Sequence, residues 1–342
     1  MANYKAIHGF TLQTTSSEPS NPVLGQMWYN STLGKLRVGV SQAASWSTGG
    51  NLTTERSDMS SAGTKAAALG YGGNDGGTFS LLSETYDGSA WTEGSDLNTA
   101  TNRAGGCGTT TAALLVGGQT PPPGPATISA KTEEYNGASW TEVTAQPSNS
   151  YSYNQATTGL QTAALVAGGG VTASHTNEAL EYDGTSWTEG GDLNTGRGGA
   201  SGVGTQTAGL CITGNYAPTP SSPGNDMTNR VEDYNGTGWT ETGDLPTGGG
   251  QAGSSGTTSS AINFGGKTAA SPPGVSTSNT FDGTSWTAAP ALPQVINNIT
   301  GTGTTVGVAL GCGGYKPLPG GYLDICVEYQ DVSVIGGSVT TS

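Results

Sequence analysis

Glu181-Tyr182-Asp183-Gly184-Thr185-Ser186-Trp187-Thr188-Glu189 decides the reading of this chain, because its pattern is written five times. It returns at Glu84-Thr85-Tyr86-Asp87-Gly88-Ser89-Ala90-Trp91, Glu134-Tyr135-Asn136-Gly137-Ala138-Ser139-Trp140, Asp233-Tyr234-Asn235-Gly236-Thr237-Gly238-Trp239 and Thr280-Phe281-Asp282-Gly283-Thr284-Ser285-Trp286. Each copy holds an aromatic residue, then Asp-Gly or Asn-Gly, then two small residues and a Trp. Asp-Gly and Asn-Gly tolerate positive φ at two consecutive positions, as a type I′ turn requires, so each copy is expected to form a tight hairpin.

Working outward, tryptophans at 46, 91, 140, 187, 239 and 286 are spaced by 45, 49, 47, 52 and 47 residues, the length that four short strands and their turns take in a propeller blade. After each Trp comes a Leu-centred connection such as Asp192-Leu193-Asn194-Thr195. A Gly- and Ala-rich stretch follows, whose small side chains suit a crowded innermost strand. A Gly-Thr turn then leads into one of six apolar runs ending in glycine, as in Ala112-Ala113-Leu114-Leu115-Val116-Gly117-Gly118. Continuous apolarity over so short a run marks a strand buried on both faces.

The ends of the chain are offset against this pattern. Trp46 precedes the first apolar run, whereas the last run is followed by Glu328-Tyr329-Gln330-Asp331 and no Trp. The missing outer strand of the last blade is therefore expected from Val38 to Trp46, with Val332 to Ile335 competing for the place. The expectation is an all-β, six-bladed propeller with four antiparallel strands per blade, spanning 35–331 and closed by an N-terminal strand. Residues 1–34 form an N-terminal extension, an attachment segment or a loosely packed one, with a hairpin turning at Asn30 to Gly34. Residues 332–342 form a C-terminal tail.

The 58 Gly and 17 Pro would suit a disordered chain, but seven Trp, 13 Tyr and evenly spaced apolar runs argue for a folded one. A formal net charge of −14 opposes binding to nucleic acid and to anionic membranes. The first residues lack the apolar core of a secretory signal, and no run reaches the roughly 18 residues of a membrane helix. Cys107 and Cys211 read as small buried hydrophobes. Cys312 and Cys326 fall on successive expected strands, but nothing points to an oxidising compartment, which argues against a disulfide between them.

An apolar strand ending in Gly-Gly, followed by an aromatic residue and a Trp, resembles the Kelch repeat and the galactose-oxidase-type propellers built from it. Gly72-Gly73 with Tyr86 and Trp91, Gly117-Gly118 with Tyr135 and Trp140, and Gly168-Gly169 with Tyr182 and Trp187 carry the resemblance. Gly214-Asn215 departs from it by replacing the second glycine, and Phe281 by replacing Tyr. The resemblance makes the expected fold a six-bladed Kelch-like β-propeller. Gly25-Gln26-Met27-Trp28-Tyr29-Asn30-Ser31-Thr32-Leu33-Gly34-Lys35-Leu36, ahead of repeats rich in Gly, Thr and Asn, also resembles structural proteins of marine tailed bacteriophages.

Strand alternation sorts the connections into two ends. The Gly-Thr and Asp-Gly or Asn-Gly turns share one end and are uniform. The other end carries irregular loops, including Gln119 to Pro125, Val171 to Asn177, Asn215 to Asp226, Lys267 to Ser278 and Tyr315 to Tyr322, and is where recognition is expected. Tyr216, Tyr315 and Tyr322 are candidate sugar-stacking groups. Arg56, Arg103 and Arg197 follow the Leu of their connections by four to six residues and are expected near the channel mouth. There they either grip a carboxylate, sulfate or phosphate or pair with acids such as Glu93, Asp96, Glu189 and Asp192.

Catalytic readings find little footing. A copper centre like that of galactose oxidase needs two histidines, and the chain has only His8, outside the repeat, and His175, in an irregular loop. No Ser-His-Asp or Cys-His arrangement can be assembled from them, and no phosphate-binding glycine loop precedes a helix. Glu84, Glu134, Glu181 and Glu328 recur beside the aromatics, and their repetition argues for structural use. The resulting expectation is a non-enzymatic virion protein, with no cofactor and no metal. It would act as a tail fibre, adhesin or capsid-surface protein at the virion surface, made in the host cytoplasm. It would recognise a host surface glycan or another virion protein, and a homo-oligomer is compatible with that role. The alternatives are a secreted carbohydrate-active enzyme on a propeller scaffold and an intracellular Kelch protein-interaction module.

Overall fold

The computed structural model describes residues 12–20, 22–121, 127–147, 154–171, 174–216, 226–268, 274–317, 319–331 and 333–338. Two compact units divide the chain, one of residues 1–45 with 330–342 and one of 46–329.

The larger unit repeats one motif, a four-stranded antiparallel sheet. Sheet A holds Ser60–Thr64, Ala67–Tyr71, Ser83–Tyr86 and Trp91–Glu93, and sheet B holds Gly105–Thr109, Ala112–Val116, Thr132–Tyr135 and Trp140–Glu142. Sheet C is built from Ala156–Leu160, Ala163–Ala167, Ala179–Tyr182 and Trp187–Glu189, and sheet D from Ser201–Thr205, Ala208–Ile212, Val231–Tyr234 and Trp239–Glu241. Gly253–Thr257, Ser260–Phe264, Ser278–Phe281 and Trp286–Ala289 make sheet E. Sheet F joins Thr300–Thr302, Leu310–Cys312 and Cys326–Gln330 to Ser45–Thr48, which comes from the other end of the chain. First strands adjoin in the cycle A-B-C-D-E-F-A. These all-β features are consistent with a β-propeller.

The outer strand of sheet F is thus Ser45–Thr48, and Trp46 packs against Tyr329 with ring centroids 5.1 Å apart, the same separation as Trp91 from Tyr86 within sheet A, though more tilted. Val38 belongs instead to a strand of the smaller unit, Lys35–Gln42. That strand pairs with Met27–Asn30 on one side and Ser333–Ser338 on the other, so the segment expected to compete for sheet F is engaged elsewhere. The hairpin expected at Asn30 to Gly34 is present, with Asn30 opposite Lys35. The boundaries expected at 34/35 and 331/332 both fall within or beside this unit's sheet, around the fully buried Trp28.

The apolar second strands are buried on both faces. In sheet B, Ala113 and Leu115 pack with Leu69 and Tyr71 of sheet A, while Leu114 and Val116 pack with Val166 and Tyr182 of sheet C. Each such Leu or Val contributes about 1.5–3 kcal/mol, so every sheet is held by its two neighbours.

Three sequence expectations need correction. The Asp-Gly hairpins are not two-residue type I′ turns. Tyr86 pairs with Trp91, leaving a four-residue loop in which only Gly88 has positive φ, and the Asp87 carboxylate accepts the amides of Ser89 and Ala90, both at 2.9 Å. The five-residue step from aromatic to Trp dictates that longer loop. The glycine pair of sheet D is shifted: Thr213 takes the first position at φ 56° and Gly214 the second at φ 116°. The first position lies in the small left-handed region open to L-residues, whereas the second, at φ 83–116° across the six sheets, requires glycine. Cys312 and Cys326 are joined by a disulfide, because the antiparallel register sets them directly opposite at a Cα separation of 4.2 Å.

Candidate functional site

The connection that enters each first strand ends in one residue with left-handed backbone. These are Asp58, Arg103, Asn154, Gly199, Gln251 and Asn298, with φ from 53° to 69°. Five of them stand six positions after the Leu of their connection, as Asp58 does after Leu52 and Arg103 after Leu97. Their main chains form a closed ring. The Arg103 amide donates to the Asp58 carbonyl (2.9 Å), Asn154 to Arg103 (2.8 Å), Gly199 to Asn154 (2.8 Å), Gln251 to Gly199 (2.7 Å), Asn298 to Gln251 (3.0 Å) and Asp58 to Asn298 (3.3 Å). Asn, Asp and Gly adopt this backbone readily, but Arg103 and Gln251 hold it against their own preference.

The ring borders a cavity of about 140 Å³ at the irregular end of the first strands. A wider cavity of about 560 Å³ lies at the uniform end, lined by the Gly-Thr turns and free of charged side chains. Ser61, Gly106, Thr157, Gly202, Ser254 and Gly301 line both, so the two spaces meet between the first strands.

Of the two cavities, the one at the ringed end is lined by charged side chains, Asp58 and Arg103. Asp58 accepts from Arg103 Nε at 3.3 Å, from Ser57 Oγ at 2.9 Å and from Asn298 Nδ2. Lys267 follows the Gly265-Gly266 pair and bridges Gly250, the neighbour of Gln251 in the ring. Burial pushes its ammonium pKa down, and the Arg103 guanidinium adds to that while Asp58 opposes it. Tyr315 bridges Asn297, beside Asn298, and packs edge-on against Tyr322 at 5.6 Å between ring centroids. The Tyr322 hydroxyl is pushed up, first by burial and then by Asp58.

The three arginines expected together are separated. Arg103 reaches the cavity, whereas the side chains of Arg56 and Arg197 are fully buried against the third strands of sheets A and D. Arg56 donates to the carbonyls of Gly72 (3.0 Å) and Leu82 (2.8 Å) and to Glu84 (2.5 Å), and Arg197 donates to the Arg230 carbonyl (3.0 Å) and to Glu232. Their partners are thus buried third-strand acids, rather than Glu93, Asp96, Glu189 or Asp192. The same acids accept amides from the incoming connection: Thr53 to Glu84 at 2.7 Å and Asn194 to Glu232 at 2.7 Å, with Asn98 to Glu133 at 2.9 Å as the third case.

Glu84 therefore shares its register with Glu133 and Glu232, not with Glu134, Glu181 and Glu328. Those three bind the hairpin tyrosine of the following sheet: Tyr182 to Glu134 (2.9 Å), Tyr234 to Glu181 (2.6 Å) and Tyr86 to Glu328 (2.7 Å). Tyr216 is half-buried in a small sheet of Arg197–Gly198, Asn215–Tyr216 and Asp226–Met227. Residues 122–126, 172–173, 217–225, 269–273 and 318 of the irregular loops lie outside the described residues. Sequence reasoning named Arg103 but missed the other ring residues and Lys267, although a fixed offset from Leu or from Gly-Gly marks all of these except Asn154.

Four-stranded antiparallel sheets whose first strands adjoin in a cycle are consistent with the propeller class of β proteins. Among solved structures, that of YjhT is similar, with a TM-score of 0.67 over 83% of this chain and 99% of its own, at 14% identity. At that identity the likeness is one of fold alone. No protein-family model matches the chain, and no curated protein matches it in sequence.

Proposed function

We propose that this chain is a six-bladed Kelch-like β-propeller, closed by its N-terminal strand, that serves as a non-enzymatic recognition protein of a phage virion. It binds a host glycan or a neighbouring virion protein through its irregular face. One observation carries the reading: the repeats agree in their four strands and, in five of the six sheets, in the hairpin turn, and diverge in side-chain chemistry at the ring and just after the glycine pair, at the opposite end. A scaffold that varies only there is arranged for recognition. Tyr315 and Tyr322, beside the ring, supply apolar faces with hydroxyls suited to sugar stacking.

The test is binding of purified protein to host cells and to virions that lack it, with Tyr315→Ala/Tyr322→Ala and a control altered in the uniform turns. Loss in the tyrosine variant alone is the expected result. Undiminished binding by that variant would remove the irregular face from the reading, and absence of the protein from purified virions would remove the phage role.

A further inference from the structure

Three features at the ringed mouth belong together. Arg103 occupies a left-handed position where Asn, Asp or Gly fits better, so its side chain is held there against a backbone cost. Its only hydrogen-bonded side-chain nitrogen is Nε, to Asp58, which leaves both terminal nitrogens of the guanidinium without a partner among the described residues. Lys267, half-buried on the same face, has no ion-pair partner among the described residues. Asp58 cannot neutralise both cations, since one carboxylate faces two positive charges and is already engaged by Ser57 and Asn298. In a chain of net charge −14, two cations thus stand at one mouth, Arg103 lining the cavity and Lys267 beside the ring, with Asp58 between the ring's bonds and Asp75 also within electrostatic reach of Tyr322.

We propose that the ringed mouth binds an oxyanion group, the carboxylate or sulfate of an acidic sugar, between Arg103 and Lys267. The two terminal nitrogens of Arg103 offer the planar fork that takes two oxygens at once, and Lys267 supplies a second, adjustable donor. Asp58 fixes the guanidinium by its bond to Nε and leaves the fork free. The backbone amides of the ring are already satisfied within the ring, so selection at the mouth falls to the side chains. Tyr322, near Asp58 and Arg103, offers the sugar ring a stacking face. The inference deepens the glycan-binding reading by naming the class of sugar.

Titration calorimetry with methyl glucuronide, methyl glucoside and inorganic sulfate tests it on the full chain. The glucuronide and sulfate should bind and the neutral glucoside should bind at least about tenfold more weakly. Lys267→Gln keeps its backbone bridge and should weaken glucuronide binding about tenfold at unchanged thermal stability, with Lys267→Arg restoring most of it. Arg103→Gln should show the larger loss, and the surface control Lys131→Gln none. Equal binding of glucuronide and glucoside, no binding of either anion, or full affinity in Lys267→Gln would overturn the proposal. Anion binding that Lys267→Gln abolishes, with host-cell binding intact in the same variant, would leave this site standing and sink the glycan-recognition role.

Discussion

Arg103 and Asp58 are joined twice, by the Arg103 amide on the Asp58 carbonyl at 2.9 Å and by Arg103 Nε on Asp58 Oδ1 at 3.3 Å. The backbone bond belongs to the ring, and the side-chain bond belongs to the site the ring carries. Substitution at Asp58 separates the two. Asn accepts left-handed backbone, so Asp58→Asn should stay within about 1 kcal/mol of the parent, whereas Asp58→Val forces a β-branched residue to φ 53° and should cost about 1–3 kcal/mol. Denaturant unfolding of both variants makes the comparison, and equal stability would show that the ring does not constrain this backbone.

The buried pair Arg197–Glu232 holds the connection from sheet C against the third strand of sheet D. Arg197→Met strands a buried carboxylate and should cost about 3–5 kcal/mol, while Arg197→Met with Glu232→Leu should recover much of the loss. The amide bond from Asn194 goes with the carboxylate, so recovery should stop short of the parent. Urea unfolding of the double-mutant cycle gives the coupling, and additive losses would mean that the pair acts independently.

How legible the molecule was depends on what the repeats share. The closure of sheet F could be read because Trp46 and Tyr329 are the two halves of a pattern intact in five other places, and burial on both faces of Leu114 and Leu115 follows from an unbroken apolar run. The ring could not be read from residue type, since Asp58, Arg103, Asn154, Gly199, Gln251 and Asn298 share no chemistry. They share a backbone conformation and, Asn154 apart, an offset from Leu. Grouping by chemistry misplaced the arginines: Arg56 and Arg197 stand four residues after their Leu and turn inward, and Arg103 stands six after its own and reaches the cavity. The disulfide escaped because compartment was weighed and register was not.

At the glycine pair of sheet D, the second position carries the constraint. Gly214 has φ 116°, and a Cβ there would lie 3.0 Å from the Gly198 carbonyl oxygen. Gly214→Ala should cost about 1–3 kcal/mol, while Thr213→Gly should stay within about 1 kcal/mol, since it relieves a left-handed β-branched residue. Thermal unfolding of the two variants checks this, and a larger loss at Thr213 would reverse the assignment.

The four cysteines divide into a bonded pair and two inert thiols. Burial pushes Cys107 up to about 12 and Cys211 to about 11, so neither should react with a thiol reagent in the folded protein near neutral pH. Denaturation without reductant should expose two thiols, and denaturation after reduction four. Reduction should also lower stability by about 3 kcal/mol, the loop-closure value for a span of this length. Four thiols without reductant would exclude the Cys312–Cys326 bond.

The link from Tyr234 to Glu181 gives sheets C and D a pH dependence of known sign. Burial, and next the hydrogen bond to Glu181, push the Tyr234 hydroxyl from its ordinary value of 10.0 up to about 12, so the folded state favours the neutral phenol. Its contribution is fully present below pH 10 and is lost as pH rises toward 12. Tyr234→Phe removes the donor and leaves the Glu181 carboxylate one partner short, costing about 1.5–3 kcal/mol at neutral pH. The stability gap between parent and variant should be constant below pH 10 and narrow between about 10 and 12, because only the parent has this phenol to ionise. Other tyrosines are common to both proteins and cancel in the difference. Urea unfolding across that range measures the gap, and a gap that persists unchanged through pH 12 would mean that the Tyr234 hydroxyl does not carry the contact between the two sheets.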